Sequence, residues 1–505
     1  MPKKLFTFLS IMLSIQAGIA QSISGKIVDA KTNESIPYAN VTINNTENVV
    51  SNAEGFFTIS ESYSSDTATI DVSYLGYQNR QMTVKELKDH ELIVRLQAGV
   101  VELDNVNVSN VRPNALSIMA EVKKHLNQHY KSELQPVKNK VFFRETNTLK
   151  PSILNFDIEK STGFTKENLK SINSQMKSFT SKLISKPPVV FSDMLCNYYT
   201  VTKKKDDKLL FTSKLDVIKA TKLKDQNNSS SLDDIEDKAK NLFLQHLDTT
   251  KYYRVKSGWF GSKDTISLRK DFHKKKKPSQ VTSTKSDLNA FICANNFLYS
   301  GDKLNFVNKP EIYDYTYEGV VYSKDHEFVY VLSFKPRKSK AIYIGKLYIS
   351  ESTYAVLRAD YSLAEGEKVN GFNMKFLLGV KSSENISNGT IIYKPNPSGI
   401  GYYLQYATSE TGQYIYINRP LKFIELADKE RDVLAIDLKI ETNMKTKKEY
   451  LNILKSESSD AGIDAVKEEE FKYLQLKRYD PNIWKDCGAI EPLEEMKQFE
   501  VSDQL

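Results

Sequence analysis

Between residues 22 and 97 apolar side chains recur at every second position in separate short stretches, and this alternation constrains the chain more than any other feature. Ile23, Gly25 and Ile27 alternate with Ser24 and Lys26, and Ala39, Val41 and Ile43 with Asn40 and Thr42. Ala68, Ile70, Val72 and Tyr74 alternate with Thr69, Asp71 and Ser73, and Leu92, Val94 and Leu96 face away from Ile93 and Arg95. Period two places one face of a strand against a core. Turn-forming residues separate the stretches: 29–34, Asn44-Asn45-Thr46, Ala53-Glu54-Gly55 and Leu75-Gly76-Tyr77. About seven strands in so short a span predict a small β-sandwich.

Four segments in this span carry a family resemblance. Ser24-Gly25-Lys26-Ile27-Val28-Asp29, Glu34-Ser35-Ile36-Pro37-Tyr38-Ala39-Asn40-Val41, Asn52-Ala53-Glu54-Gly55-Phe56-Phe57-Thr58-Ile59 and Ser73-Tyr74-Leu75-Gly76-Tyr77 follow one another as in the carboxypeptidase regulatory-like domain, which residues 22–97 resemble. The resemblance implies a transthyretin-like (Ig-like) sandwich of a kind common in exported proteins of the Bacteroidetes. It also implies a stabilising or docking module, since in metallocarboxypeptidases this sandwich accompanies the catalytic domain and is not the peptidase. Each motif position has a physical reason as well. Pro37 fixes φ and lacks an N–H, as suits a strand entrance; Gly55 and Gly76 suit turns where a Cβ would clash; Phe57 and Ile59 supply core volume.

The chain begins with a secretory layout over residues 1–20: Lys3 and Lys4, an apolar stretch from Leu5 to Ile15, then Ala17-Gly18-Ile19-Ala20, with cleavage expected before Gln21. The stretch is shorter than the roughly 20 apolar residues a spanning helix needs. Export to the periplasm or to the outer-membrane or cell surface follows. Lys+Arg number 71 against 63 Asp+Glu, a net +8 that loss of Lys3 and Lys4 lowers by two. The basic residues gather at Lys203-Lys204-Lys205 and at His273 to Lys277, solvated runs that leave room for peripheral contact with a lipid or glycan surface and argue for no nucleic acid. Cys196, Cys293 and Cys487 are odd in number and widely spaced. They read as small buried thiols with one bridge at most.

After the sandwich, residues 98–140 read as a linker strand and helix. Val100 to Val108 is extended, and Pro113 and Asn114 open a helix with Ala115, Ile118, Met119, Val122, Leu126 and His129 on one stripe. Val141 to Thr146 is extended again, and 141–300 reads as mixed α/β, with polar helices at 165–185 and 235–247. Strand-length segments return over 301–445: 313–321, 327–334, 341–349, 354–361, 373–380, 389–393, 401–407, 413–417 and 434–441. Consecutive hairpins are the simplest way to join them. Residues 313–361 resemble, more faintly, the curved half-barrel sheet of lipoprotein-sorting carriers. Residues 446–505 read as a charged helical tail. The expected class is mainly β with α: a sandwich, a linker helix, then a larger α+β region built on an antiparallel, half-barrel-like sheet.

No constellation of reactive groups stands out. The six His, at 90, 125, 129, 246, 273 and 326, form no H-x-x-E or H-E-x-x-H, and there is no G-x-S-x-G elbow or P-loop. His125 and His129 are four apart, but Leu126-Asn127-Gln128 between them holds no Glu, so a packed His129 beside an exposed His125 is the better account. No catalytic, metal-binding or cofactor-binding residue is assigned, and no cofactor is expected. The expectation is a non-enzymatic envelope protein that docks through its sandwich and holds a protein, lipid or glycan partner on a β-rich body. Two other readings stay open: a lipid or lipoprotein carrier with an apolar groove over 313–417, and an envelope hydrolase with its site in 140–445.

Overall fold

The computed structural model describes residues 22–99, 114–162, 165–205, 208–224, 252–257, 260–261, 266–267, 279–322, 327–426, 431–484, 487 and 490–500. The leader, the stretch 100–108, Pro113, the loop at 227–231, the helix at 235–247, the run from His273 to Lys277 and the chain end at 503–505 lie outside them. The chain divides into two compact units, one of residues 1–102, 321–328 and 480–497, the other of the remainder.

In the first unit, β1 (Ile23–Asp29), β2 (Asn40–Ile43), β3 (Glu47–Val50), β4 (Phe56–Ile59), β5 (Thr69–Ser73), β6 (Arg80–Thr83) and β7 (Ile93–Leu96) form two sheets, ordered β4-β1-β7 and β3-β2-β5-β6. The alternating residues do what their period requires: Ile27, Val41, Ile43, Phe57, Ile59, Ile70, Val72, Val94 and Leu96 make one core. Gly55 and Gly76 have φ of +81° and +96°, which side-chain-bearing residues rarely adopt. Pro37 lies in the turn before β2, where it precedes Tyr38 at φ +62°. Helix α1 (Val84–Asp89) opens on a capping box between Thr83 and Glu86. Residues 490–497 lie against the 52–58 segment: the Asn52 amide donates to the Pro492 carbonyl at 3.1 Å, and the Lys497 amine sits 5.4 Å from the Phe56 ring centre.

The second unit is built on one long sheet. Its strands are β8 (Val137–Ser161), β9 (Val189–Lys205), β10 (Lys208–Leu223), β11 (Tyr252–Ser257), β12 (Phe260–Gly261), β13 (Ile266–Ser267), β14 (Tyr313–Tyr322), β15 (Phe328–Pro336), β16 (Tyr343–Ser350), β17 (Val356–Leu363), β18 (Asn370–Met374), β19 (Val380–Pro395), β20 (Tyr402–Glu425), β21 (Arg431–Glu457) and β22 (Leu474–Leu476). The main path runs β14-β15-β16-β17-β19-β20-β21-β8-β9-β10-β22. Consecutive antiparallel neighbours dominate it, as hairpin connections predict. The pairing of β21 with β8 joins the region before residue 300 to the region after it, so the expected divide there is no break in the structure.

Several expected strands merge or split. Segments 401–407 and 413–417 belong to the single strand β20, which passes Gly412 opposite an irregularity in β19 near Ile386. The expected strand at 373–380 is interrupted by a helical turn at Lys375–Leu378, closed by Gly379 at φ +66°. A Cβ on Gly379 would stand 2.1 Å from the Asn418 carbonyl oxygen, so both the space and the conformation call for glycine. The charged tail from 446 begins as strand, since β21 continues to Glu457 and contributes Tyr450 and Leu451 to buried positions.

Helix α2 (Ala115–Tyr130) is capped by the Asn114 side chain, which accepts from the Leu116 N–H, and its predicted stripe is buried. Helix α3 (Lys166–Ser185) covers the end of β8. Helices α4 (Gln280–Ala294) and α5 (Asn305–Asn308) join α2 on one face of the sheet, where Leu126, Tyr130, Leu288, Phe291, Phe297 and Phe306 pack with Phe143, Phe334, Tyr343, Leu347, Tyr361, Ile391, Ala407 and Tyr450. Gly389 leaves the space that the Tyr361 ring occupies; a Cβ there would meet it at 2.8–3.0 Å.

Candidate functional site

The helix-covered face changes character along its strands. Pairing in register places Phe143 beside Tyr450 and Ala407, then Glu145 beside Lys448 and Ser409, then Asn147 beside Thr446 and Thr411, then Leu149 beside Met444 and Gln413. Apolar residues lie where the helices pack, and hydroxyls, amides and charges lie beyond them. That polar part opens as a cleft of about 290 Å³ lined by Asn370, Glu384, Thr411, Gly412, Gln413, Met444 and Thr446. Its side chains are held in place by one another. Asn370 donates to Glu384 at 2.9 Å, Gln413 to Ser382 at 2.8 Å, Thr446 to Asn147 at 2.6 Å and Asn147 to Glu145 at 2.6 Å.

Lys303, between α4 and α5, reaches this boundary. Its amine lies 3.3 Å from the Ser409 hydroxyl and 3.4 Å from the Asn295 side-chain oxygen, and it pairs with no carboxylate among the described residues. Burial, with the Lys448 charge adding to it, pulls its pKa down to about 8. Lys448 itself has a partner, Glu145 at 3.4 Å. The cleft itself is lined by amides, hydroxyls, Met444 and one carboxylate, Glu384, while the Lys303 amine lies on Ser409, two residues along β20 from Thr411.

A buried amine whose folded pKa is depressed works against folding wherever the unfolded chain holds the proton more tightly. The penalty is complete below about pH 8 and disappears as pH rises from there toward the ordinary lysine value of 10.5. Lys303→Met is therefore expected to stabilise the protein at pH 7 by up to about 3 kcal/mol. Chemical denaturation from pH 7 upward checks this: the gain should shrink through that window, and a gain independent of pH would contradict it.

The opposite sheet face buries a different polar group. Arg144 Nε and Nη2 donate to Asp193 Oδ1 and Oδ2 at 2.8 and 2.9 Å, with both side chains almost wholly buried. Glu449 is the cross-strand neighbour of Arg144 on the other side and lies 3.4 Å from Lys447. Burial works against the Arg144 charge, yet the Asp193 and Glu449 carboxylates outweigh it and hold the guanidinium pKa up. This is a cross-strand ion ladder that fixes β21, β8 and β9 in register.

The residues weighed from sequence are distributed otherwise. His129 is buried and its Nε2 donates to the Thr353 carbonyl at 2.7 Å; desolvation lowers its pKa. His125 is half-buried rather than exposed, since its ring stacks between His129 and Tyr354 and its Nδ1 lies 2.8 Å from the Glu121 carbonyl. No group of three or more His, Cys, Asp or Glu is placed to hold a metal among the described residues. Cys196 is buried and burial pushes its thiol up, whereas Cys293 is exposed and Cys487 partly so; all three are free thiols. No described helix is long and apolar enough to cross a membrane. Sequence reading passed over Lys303, Ser409, Arg144 and Asp193. For Arg144 a signal existed, a charge directly after the apolar run Val141-Phe142-Phe143 in an extended segment.

Residues 23–108 match the family model of the CarboxypepD_reg-like domain. Among solved structures the chain is similar to a DUF1329 family protein from Desulfovibrio piger ATCC 29098, at 9% identity over 69% of this chain and 95% of that one, with a TM-score of 0.20. It is similar to the MucA/MucB complex of Pseudomonas aeruginosa at 8% identity, over 68% and 99% of the two chains, with a TM-score of 0.15. Similarity to the COG4313 outer membrane channel of Pseudomonas putida F1 is 9% identity over 65% and 98%, with a TM-score of 0.12. No curated protein matches the chain.

Proposed function

We propose that this chain, which carries a carboxypeptidase regulatory-like domain at its N-terminus, is a non-enzymatic exported envelope protein whose sandwich docks to another envelope component and whose β-rich body holds an anionic, hydroxyl-rich ligand of the acidic-glycan class. One observation carries the ligand reading: the Lys303 amine sits on Ser409, two residues along β20 from Thr411 of the cleft lining, with Asn295 and Ser409 as its only near partners among the described residues. The docking role is supported by the segment the sandwich already holds, residues 490–497 against Asn52, Glu54 and Phe56. The carrier reading asks for an open apolar groove over 313–417. That face's apolar residues pack on Phe297, Leu304 and Phe306 of this chain, and the open part is polar.

The test is a panel of acidic and neutral oligosaccharides titrated against the purified chain and Lys303→Met, beside pull-downs from envelope extract with and without residues 22–97. Binding of the acidic members should fall at least ~10-fold in the variant, and in the wild type it should weaken as pH rises through about 8. Loss of one protein partner on removing 22–97 supports docking; capture unchanged by the deletion removes it. Equal binding of neutral and acidic sugars, or no binding, removes the ligand assignment. The hydrolase reading has one observation in its favour, the 3.3 Å approach of the Lys303 amine to the Ser409 hydroxyl, since a depressed lysine can act as base to a serine nucleophile. Turnover of an ester, peptide or glycan that Ser409→Ala abolishes would transfer the site to that class.

A further inference from the structure

The turn that interrupts the expected strand at 373–380 presents a cluster of apolar side chains to solvent, including the most exposed large apolar residue among the described ones. Phe376 is fully exposed, at 108% of its reference area, and Leu377, Phe372 and Met374 are 71%, 52% and 39% exposed. They are neighbours on one small projection, β18 followed by helix α6 (Lys375–Leu378). Isolated exposed apolar residues are ordinary, but a cluster of this kind on one tip marks an interaction surface. The tip is firmly mounted. β18 pairs with β19 from Asn370↔Glu384 to Met374↔Val380, and Gly379 is wedged against the Asn418 carbonyl. Its apolar residues are therefore presented without an ordering penalty on contact.

The charges around the tip select the partner. Residues 368–383 contain Lys368, Lys375 and Lys381 and no Asp or Glu. The Lys375 amine stands 4.1 Å from the Tyr416 ring centre and the Lys381 amine 5.3 Å from that of Tyr414. The order from the apex inward is thus apolar side chains first, then tyrosine rings with ammonium groups above them. Interfacial segments show the same order where apolar residues enter the acyl boundary and aromatic and basic residues stay at headgroup level. We infer that residues 372–378 form a finger that inserts Phe372, Met374, Phe376 and Leu377 into the surface of an anionic lipid bilayer, with Lys375 and Lys381 against the headgroups. This surface is separate from the cleft and stands whether or not a glycan occupies it.

The experiment is co-sedimentation of the chain, as isolated from the envelope fraction, with vesicles of phosphatidylethanolamine and phosphatidylglycerol and with vesicles of phosphatidylcholine alone, alongside gel filtration without lipid. The wild type should bind the anionic vesicles more tightly than the neutral ones and lose affinity with added salt. The double variant Phe376→Asp, Leu377→Asp should bind them at least ~10-fold more weakly while melting at the wild-type temperature, because neither side chain contributes to a core. Lys375→Gln with Lys381→Gln should retain apolar contact but lose most of the salt dependence. Equal vesicle binding by the wild type and the aspartate variant would overturn the inference. So would absence of wild-type binding to either vesicle, or a wild-type dimer that the aspartate variant dissociates, which would make a second copy of the chain the occupant.

Discussion

Asp193→Ala is expected to lower the unfolding free energy by about 3–5 kcal/mol, because it leaves a buried guanidinium without the carboxylate that holds it. Arg144 spans two bonds to Asp193, of 2.8 and 2.9 Å, and both side chains are closed off from water. Glu449 remains as a neighbour, yet it already balances Lys447 at 3.4 Å and cannot supply the same forked geometry. The double change Arg144→Met, Asp193→Leu removes both charges at similar volume and should be much milder than either single change. Urea denaturation of Arg144→Met, Asp193→Leu and the double variant closes a double-mutant cycle. A double variant as unstable as the sum of the singles would show that the pair contributes nothing through its coupling and would remove the ladder's role in setting register.

The ladder also marks the limit of what the sequence makes legible. The sandwich could be read because its information is local: period-two burial, turn residues between strands, and glycines at 55 and 76 where φ is positive. The stripe of α2 could be read for the same reason. The body's decisive contacts are not local. β8 pairs with β21 nearly 300 positions later, and Glu145, Lys448, Ser409 and Lys303 come together only through that register and the α4–α5 connection. Arg144 and Asp193 sit in similar apolar runs, and each alone looks like a charge on an exposed strand face. The finger was hidden differently. Phe372, Met374, Phe376 and Leu378 alternate as a strand would, and the pattern is broken by the apolar Leu377 and by Gly379, whose Cβ would collide with Asn418. Alternation reports period and not burial, so a projecting turn and a buried strand can share it.

Phe306→Ala is expected to lower stability by about 3–5 kcal/mol and, more informatively, to reopen the apolar part of the helix-covered face. The Phe306 ring is buried against Phe334 with centres 4.6 Å apart and planes at 12°, against Tyr361 at 5.3 Å and against Tyr343 at 5.8 Å. It is carried by the four-residue helix α5, between buried Leu304 and Val307. So short a helix has little stability of its own, and the ring is what anchors it to the sheet. Removing the ring leaves an apolar cavity lined by aromatic residues, which stays dry and takes up small apolar molecules. The wild type should therefore bind no apolar probe such as ANS at this face, whereas the variant should bind it without loss of the native strand signal in far-UV circular dichroism. Saturable ANS binding by the folded wild type that persists in the Phe376→Asp, Leu377→Asp variant would mean that the helices leave this face in the native ensemble, and the carrier reading would then displace the polar cleft as the account of what the body holds.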